Sequence, residues 1–567
     1  MATFLLRCSL ILLAFAFASG AIVEHTLNIG NVAVQRLCSQ QVITAANGSL
    51  PGPTITVNEG DTLIVHVINQ SPHDMTIHWH GVLQFANGWA DGPDYVTQCP
   101  IVTGSRYTYR FNVTEQEGTL WWHAHISYLR ATVYGALVIR PRQGRPYPFP
   151  RPDAEVPIIL GEWWNADVVR VVDDASASGV GPALSDAFTI NGQPGDLYNC
   201  SSTNTYKLKV QRGKTYLLRM VNAGLQSIMF FKIANHTMTI VGIDASYTRP
   251  YTTDVITIAP GQTMDVLLRA NQRPSSYYMA ASVYQGSDFV TFNPTTTTGI
   301  VEYVGSTPST PIMPRLPSSN DNATAHKVLS NLTALMSAPF WHPVPRRVDE
   351  RMFITIGLGL LPCGATGNTT CQGPGGMRLA ANMNNVSFAP NTSVSMLEAF
   401  YNKVDGVYTE DFPTNPPLQF DYTNMNNINN MALLPTTRGT KVKRVKYNSV
   451  VEVVFQNTAL GSPENHPMHL HGYDFHVLAQ GFGNYDSTRD QRKFNLVNPQ
   501  IRSTIAVPIG GWAVIRFRAN NPGVWFIHCH LEVHVPWGLA GAFIVENGPT
   551  PATSMIPPPA DLPKCSH

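Results

Sequence analysis

Ten of the eighteen histidines in this 567-residue chain sit in four short clusters, running from His78 to His534. The clusters are His78-Trp79-His80, His123-Ala124-His125, His466-Pro467-Met468-His469-Leu470-His471, and His528-Cys529-His530 with His534 four residues on. Any fold that lets them share metal must bring these distant segments together. Four His-x-His pairs plus a His/Cys/His set are a ligand inventory for more than one transition-metal ion. Imidazole with a single thiolate points to copper, with an unpaired Cys as the blue-copper ligand. Alternate side chains of a strand share a face and lie about 6.6 Å apart, so each pair presents two imidazoles to one side. Alone, a His-x-His pair is more often structural and a free Cys more often core. Four clusters matched between repeats argue for metal. The other eight histidines, including His66, His73 and His476, read as structural.

The strand pattern recurs. Residues 57–69, 210–222 and 445–457 each read as a polar turn followed by an apolar, β-rich strand that ends in Asn. Three copies imply three related β domains. Short Val/Ile/Thr/Tyr/Phe runs punctuated by 43 Gly and 43 Pro fit all-β sandwiches or barrels. The expected division is 22–145, 146–320 and 321–567, with the Pro- and Ser-rich stretch Ser306–Asn322 as the second connection. A second match joins the outer domains: Gly118–His125 aligns with Gly523–His530, and Met75–His80 with His466–His471. On it Met75, Ala124 and Leu129 stand where His466, Cys529 and His534 stand. The third domain thus has a complete mononuclear site, and the first an apolar counterpart without ligands. The four pairs supply eight imidazoles. Three ions held by three, three and two histidines would use all eight and leave open positions for dioxygen. Cys529 points away from His528 and His530 yet is bonded to both, which gives an electron a short covalent route.

Bulk properties exclude little but agree. A net charge of +1 gives no reason to expect nucleic acid. Arg7, the apolar run Leu10–Phe17 and the small residues Ala18–Ala21 predict a secretory signal over 1–21. The run is too short to span a membrane. With Cys8 in the signal and Cys529 on metal, Cys38, Cys99, Cys200, Cys363, Cys371 and Cys565 remain, which suggests three disulfides with a local Cys363–Cys371 pair. Ten Asn-x-Ser/Thr sequons, at Asn47, Asn69, Asn112, Asn199, Asn235, Asn322, Asn331, Asn368, Asn385 and Asn391, suggest a secreted glycoprotein. Asn69 is a poor candidate because Pro72 follows Ser71.

These motifs resemble the four copper-binding signatures of the multicopper oxidases, and within that family those of plant laccases. The resemblance rests on His78-Trp-His-Gly-Val-Leu-Gln, Trp89-Ala-Asp-Gly-Pro, Thr97-Gln-Cys-Pro-Ile101, and Trp525-Phe-Ile-His-Cys-His-Leu-Glu-Val-His534 through Trp537-Gly-Leu539. It covers essentially the whole mature chain and implies three cupredoxin domains and four copper ions. Carried over by motif position, the type 1 copper takes His466, Cys529 and His534. The type 2 copper takes His78 and His469, and the type 3 pair takes His80, His123, His125, His471, His528 and His530. The axial position of the type 1 site is Leu539, which cannot ligate where Met often does; losing that donor should raise the potential. Asp91 matches a family carboxylate near the trinuclear cluster, able to supply protons or to orient a neighbour; otherwise it caps a turn before Gly92-Pro93. Glu532 matches a carboxylate close to both copper sites. Trp79, Trp121, Trp122 and Trp525 are expected to pack around the coppers.

The resemblance implies a monomeric, secreted enzyme that takes single electrons from phenols, such as lignin precursors, and reduces dioxygen to water in the apoplast. One alternative is a sister enzyme acting on ascorbate or a metal ion. Leu539 argues against ascorbate, and the sequence shows no carboxylates beside the type 1 histidines of the kind a metal oxidase needs. The other is a non-enzymatic cell-wall protein, against which the intact ligand set argues.

Overall fold

The computed structural model describes residues 20–287, 290–307, 309–366 and 370–565. Nearly all of the expected signal segment, and the sequon at Asn368, lie outside the described residues. The fold is all-β, as expected: six sheets pack in pairs as three sandwiches. The first runs from strand Ile22–Arg36 to Tyr134–Arg140, the second from Ala154–Trp163 to Thr297–Tyr303, and the third from Glu350–Leu361 to Ala540–Val545. The described part of the Ser306–Asn322 connection is irregular apart from a bridge between Tyr277 and Ile312, and it leads into helix Asn322–Ser330.

The three similar segments become strands Thr62–Asn69, Thr215–Asn222 and Ser449–Asn457. Each lies parallel to the first long strand of its sandwich and antiparallel to a later one. The terminal Asn has a physical reason. Asn69, Asn222 and Asn457 are fully buried, and each side chain donates to two backbone carbonyls: His73 and Ile101, Ser227 and Ile258, Glu464 and Pro508. Buried carbonyls at a strand end need such donors. The Asn69 sequon is therefore sealed inside the first sandwich.

The outer sandwiches share one core. Trp79, Tyr109 and Phe111 of the first pack in a cluster with Val524, Phe526 and Ile544 of the third. Met75, Ala124 and Leu129 belong to that cluster, so the position equivalent to the mononuclear site is filled by hydrocarbon. Cys38–Cys200 ties the first sandwich to the second, Cys99–Cys565 ties it to the C-terminal tail, and Cys363–Cys371 closes a local loop. Cys529 stays free and buried. Where the three sandwiches meet, a cavity of about 570 Å³ opens, walled by Leu83, Tyr247, Phe340, Tyr473 and Asp474 among others.

Candidate metal centre

Strand pairing builds the site. Ile77–His80 lies antiparallel to Gly118–Ala124 with His78 opposite His123. His466–Leu470 lies antiparallel to Gly523–Cys529 with His469 opposite His528 and Met468 opposite Cys529. His125, His471 and His530 follow directly after strands, so each pair keeps one face. Packing the outer sandwiches together brings all eight rings into one buried space. The His80 and His469 rings, one from each sandwich, stack at 3.7 Å between centroids, and His78 and His471 stack at 4.0 Å.

Among the described residues, ligand atoms gather in four groups: His78, His80 and His123; His78, His469 and His471; His125, His471 and His528; and His466, Cys529 and His534. His530 joins through Nε2, 3.1 Å from His80 Nδ1. Tautomers are set by the backbone. His78, His123, His469 and His528 place Nδ1 2.8–2.9 Å from the carbonyls of Asp91, Ala124, Ser503 and Cys529. With Nδ1–H donating outward, Nε2 keeps its lone pair facing inward, the arrangement that orients imidazole for metal. Among the described residues Nε2 of His78, His123 and His469 has no hydrogen-bond partner. His471 and His528 bring their Nε2 atoms within 3.2 Å. Burial, then neighbouring imidazoles and Arg130, holds His80, His123, His469, His471, His528 and His530 well below the usual histidine range. Neutral imidazoles with converging lone pairs fit a cluster of cations and little else.

Asp91 is fully buried and touches a ligand from each outer sandwich. Oδ2 lies 2.9 Å from His471 Nδ1, and Oδ1 lies 3.3 Å from His78 Nδ1. Its side chain does not cap the turn; the N–H of Gly92 goes to Thr97 Oγ1 instead. Gly92 adopts φ 102°, and a Cβ there would lie 1.9 Å from the Ile77 carbonyl oxygen, so glycine permits this approach. Glu532 pairs with Arg130 at 2.9 Å; burial, against the pull of Arg130, raises its pKa. Arg130 in turn contacts His530 Nδ1 at 2.8 Å and donates to the His530 carbonyl at 3.0 Å.

At the mononuclear group Cys529 Sγ lies 3.3 Å from His534 Nδ1 and 3.6 Å from His466 Nδ1. Leu539 is fully buried and shares an apolar cluster with Cys529. Its carbonyl accepts from the Cys529 N–H and its own N–H donates to the His534 carbonyl, so the non-ligating residue still pins both ligands. Glu464 Oε1 lies 3.2 Å from His534 Nε2, so one carboxylate does stand beside a histidine of the mononuclear group. Burial works to lower His534, but the charges of Glu464 and Cys529 outweigh it and push the ring up to about 10.

Of the four tryptophans only Trp121 lies against the rings, 4.3 Å from His123 and 5.3 Å from His80. Trp79 packs on Tyr109 and Phe111, Trp122 donates to the Pro53 carbonyl, and Trp525 packs on Tyr473. The middle sandwich, which has no His-x-His motif, closes the cluster with Gly261. A Cβ on Gly261 would meet the His530 ring at 2.8 Å and His80 at 3.0 Å.

Known proteins agree with this geometry. The sequence signatures of the multicopper oxidases match residues 28–144, 154–306 and 411–549. The chain is 58% identical over 567 residues to Laccase-7 of Arabidopsis thaliana, covering 99% of each. It is 52% identical over 579 residues to Laccase-24 of Oryza sativa subsp. japonica, covering 98% of this chain and 99% of that one. The crystal structure of laccase from Botrytis aclada superposes with a TM-score of 0.74 at 27% identity, covering 95% of this chain and 89% of that one. Its ligand inventory, its three sandwiches and these full-length similarities make the chain a member of the multicopper oxidase family, with copper as its cofactor.

Proposed function

We propose that the chain is a laccase that takes single electrons from phenols at the His466–Cys529–His534 centre and passes them to dioxygen at the eight-histidine cluster. The observation that carries this reading is the adjacency of the two sites: Cys529 faces one, and its bonded neighbours His528 and His530 face the other. Bound copper, four ions in all, would supply the one-electron steps, with one type 1 ion, one type 2 ion on His78 and His469, and a type 3 pair on the other six histidines. The protein does the rest. The covalent path through Cys529 carries electrons between sites. Asp91 orients His78 and His471 and can hold a proton beside them, as water formation requires. Glu532, paired with Arg130, is a second carboxyl that reaches the cluster through the contact of Arg130 with His530. Trp121 packs on the His80 and His123 rings, and Gly261, with no side chain, lets the middle sandwich close on His80 and His530. Leu539, buried beside Cys529, would offer bound copper no donor atom, which would favour its reduction by phenols.

Plant relatives named laccases support the phenol as reductant. The expected secretory signal, the three disulfides and the sequons support a secreted glycoprotein, read here as a monomer of three domains divided near 145 and 320 that acts on small molecules and dioxygen. Asn69 is excluded as a glycan site by its burial. Coupling of released radicals, as in lignin formation, would then need no further protein. The test is oxygen uptake by purified, copper-loaded protein with a methoxylated phenol or with ascorbate. Faster uptake with the phenol is expected; preference for ascorbate would move the chain to a sister oxidase.

A further inference from the structure

Glu464 has no part in the ligand set, yet its carboxylate sits against a ligand. Oε1 lies 3.2 Å from Nε2 of His534, whose Nδ1 faces Cys529 Sγ at 3.3 Å. The imidazole is strung between thiol and carboxylate. The ring is 1% exposed and the Glu464 side chain 14% exposed, so solvent screens the pair poorly. The loop that carries Glu464 is pinned on both sides. The Glu464 carbonyl accepts from buried Asn457 Nδ2 at 2.7 Å. Asn465 accepts from the Ile509 N–H at 3.0 Å and donates to the Gln285 carbonyl of the middle sandwich at 3.1 Å. These bonds fix the backbone from which the Glu464 side chain reaches His534.

We propose that Glu464 is a positioning residue that lowers the electron affinity of the mononuclear centre through His534, and so restricts its reductants to electron-rich phenols. The proposal rests on the laccase reading above. A carboxylate at the outer nitrogen of a ligating imidazole fixes the ring and raises its basicity. A negative charge held in a buried site also favours the more positive, oxidised state of whatever the ring binds. Leu539 acts in the opposite sense by withholding a donor, so the potential is set by two residues that oppose each other. In the reaction a phenol gives one electron to the centre and one proton to solvent, leaving a phenoxyl radical. With the pull of the centre moderated, phenols bearing methoxy or second hydroxyl groups give up that electron readily, and unsubstituted phenol does not.

The experiment compares wild type with Glu464→Gln and Glu464→Asp, all copper-loaded, by titrating the blue absorbance against a mediator couple. Glu464→Gln removes the charge and keeps a side chain of the same size. It is expected to shift the reduction equilibrium at least tenfold toward the reduced form, 59 mV for a one-electron couple, with the blue band retained. Glu464→Asp should restore most of the wild-type value. The ratio of kcat/KM for a methoxyphenol over phenol should fall in Glu464→Gln. An unchanged potential in both variants, with intact blue absorbance, would overturn this proposal alone. No blue absorbance in copper-loaded wild type would instead overturn the reading on which it rests.

Discussion

At the scale of single residues, the proposed chemistry leans on side chains outside the ligand set. Asp91 is the clearest, because its two oxygens reach histidines from different sandwiches. Replacing it by Asn keeps the shape but removes the charge and the ability to hold a proton. Asp91→Asn should slow reoxidation by dioxygen about 10- to 100-fold, with the blue absorbance unchanged; stopped-flow mixing of reduced enzyme with dioxygen measures this. A loss under twofold would make Asp91 a structural residue only. Leu539→Met tests the other site. The swap conserves volume and should cost less than about 1.5 kcal/mol, while the thioether lowers the type 1 potential in a mediator titration. An unchanged potential would show that this position does not face the metal. The candidate ligands were legible in the sequence, because a His-x-His motif is local. Arg130, Gly261 and Glu464 were not. Each is an ordinary residue whose meaning comes from a distant partner: Arg130 meets His530, 400 residues away in the chain.

At the scale of elements, the strands read well because period-two patterns and terminal Asn residues are sequence-local. The pairing of His78 with His123 and of His469 with His528 follows from matching segments of the first and third domains. What the segments do not reveal is the use of the Asn. Asn222 donates to the carbonyls of Ser227 and Ile258 and accepts from the Gly224 N–H, all in the sandwich without ligands. Asn222→Ala would leave those buried groups unpaired and should cost about 2 kcal/mol. A lower unfolding temperature with normal blue absorbance per copper is the expected result. Bleaching at unchanged stability would mean that the middle sandwich shapes the metal sites more directly than Gly261 and its neighbours suggest.

At the scale of the whole molecule, the three sandwiches enclose chemistry that none could hold alone. The junction has a cost. Asp474, in the wall of the central cavity, is pushed up to about 8, first by burial and then by Asp244, against a hydrogen bond with Gln116. In the unfolded chain it titrates near 3.8. Between these values the native state binds the extra proton, so this group makes stability fall as pH rises from about 4 to about 8 and adds nothing further above that. Asp474→Asn removes the effect. Its advantage in unfolding temperature over wild type should be near zero at pH 4 and grow to about 1–2 kcal/mol equivalent at pH 8, once cavity solvent is allowed for. An advantage independent of pH would contradict the assignment.

The convergence of four distant histidine clusters on one buried space makes a single demand of the reaction. On the laccase reading, every electron taken up at Cys529 must leave in water. The direct measurement is stoichiometry: phenol oxidised per dioxygen consumed by copper-loaded protein, with peroxide assayed in the same vessel. Four phenols per dioxygen and no peroxide is the expected result. Two per dioxygen with peroxide released would mean that the eight histidines do not act as one cluster, and would contradict the account at its centre.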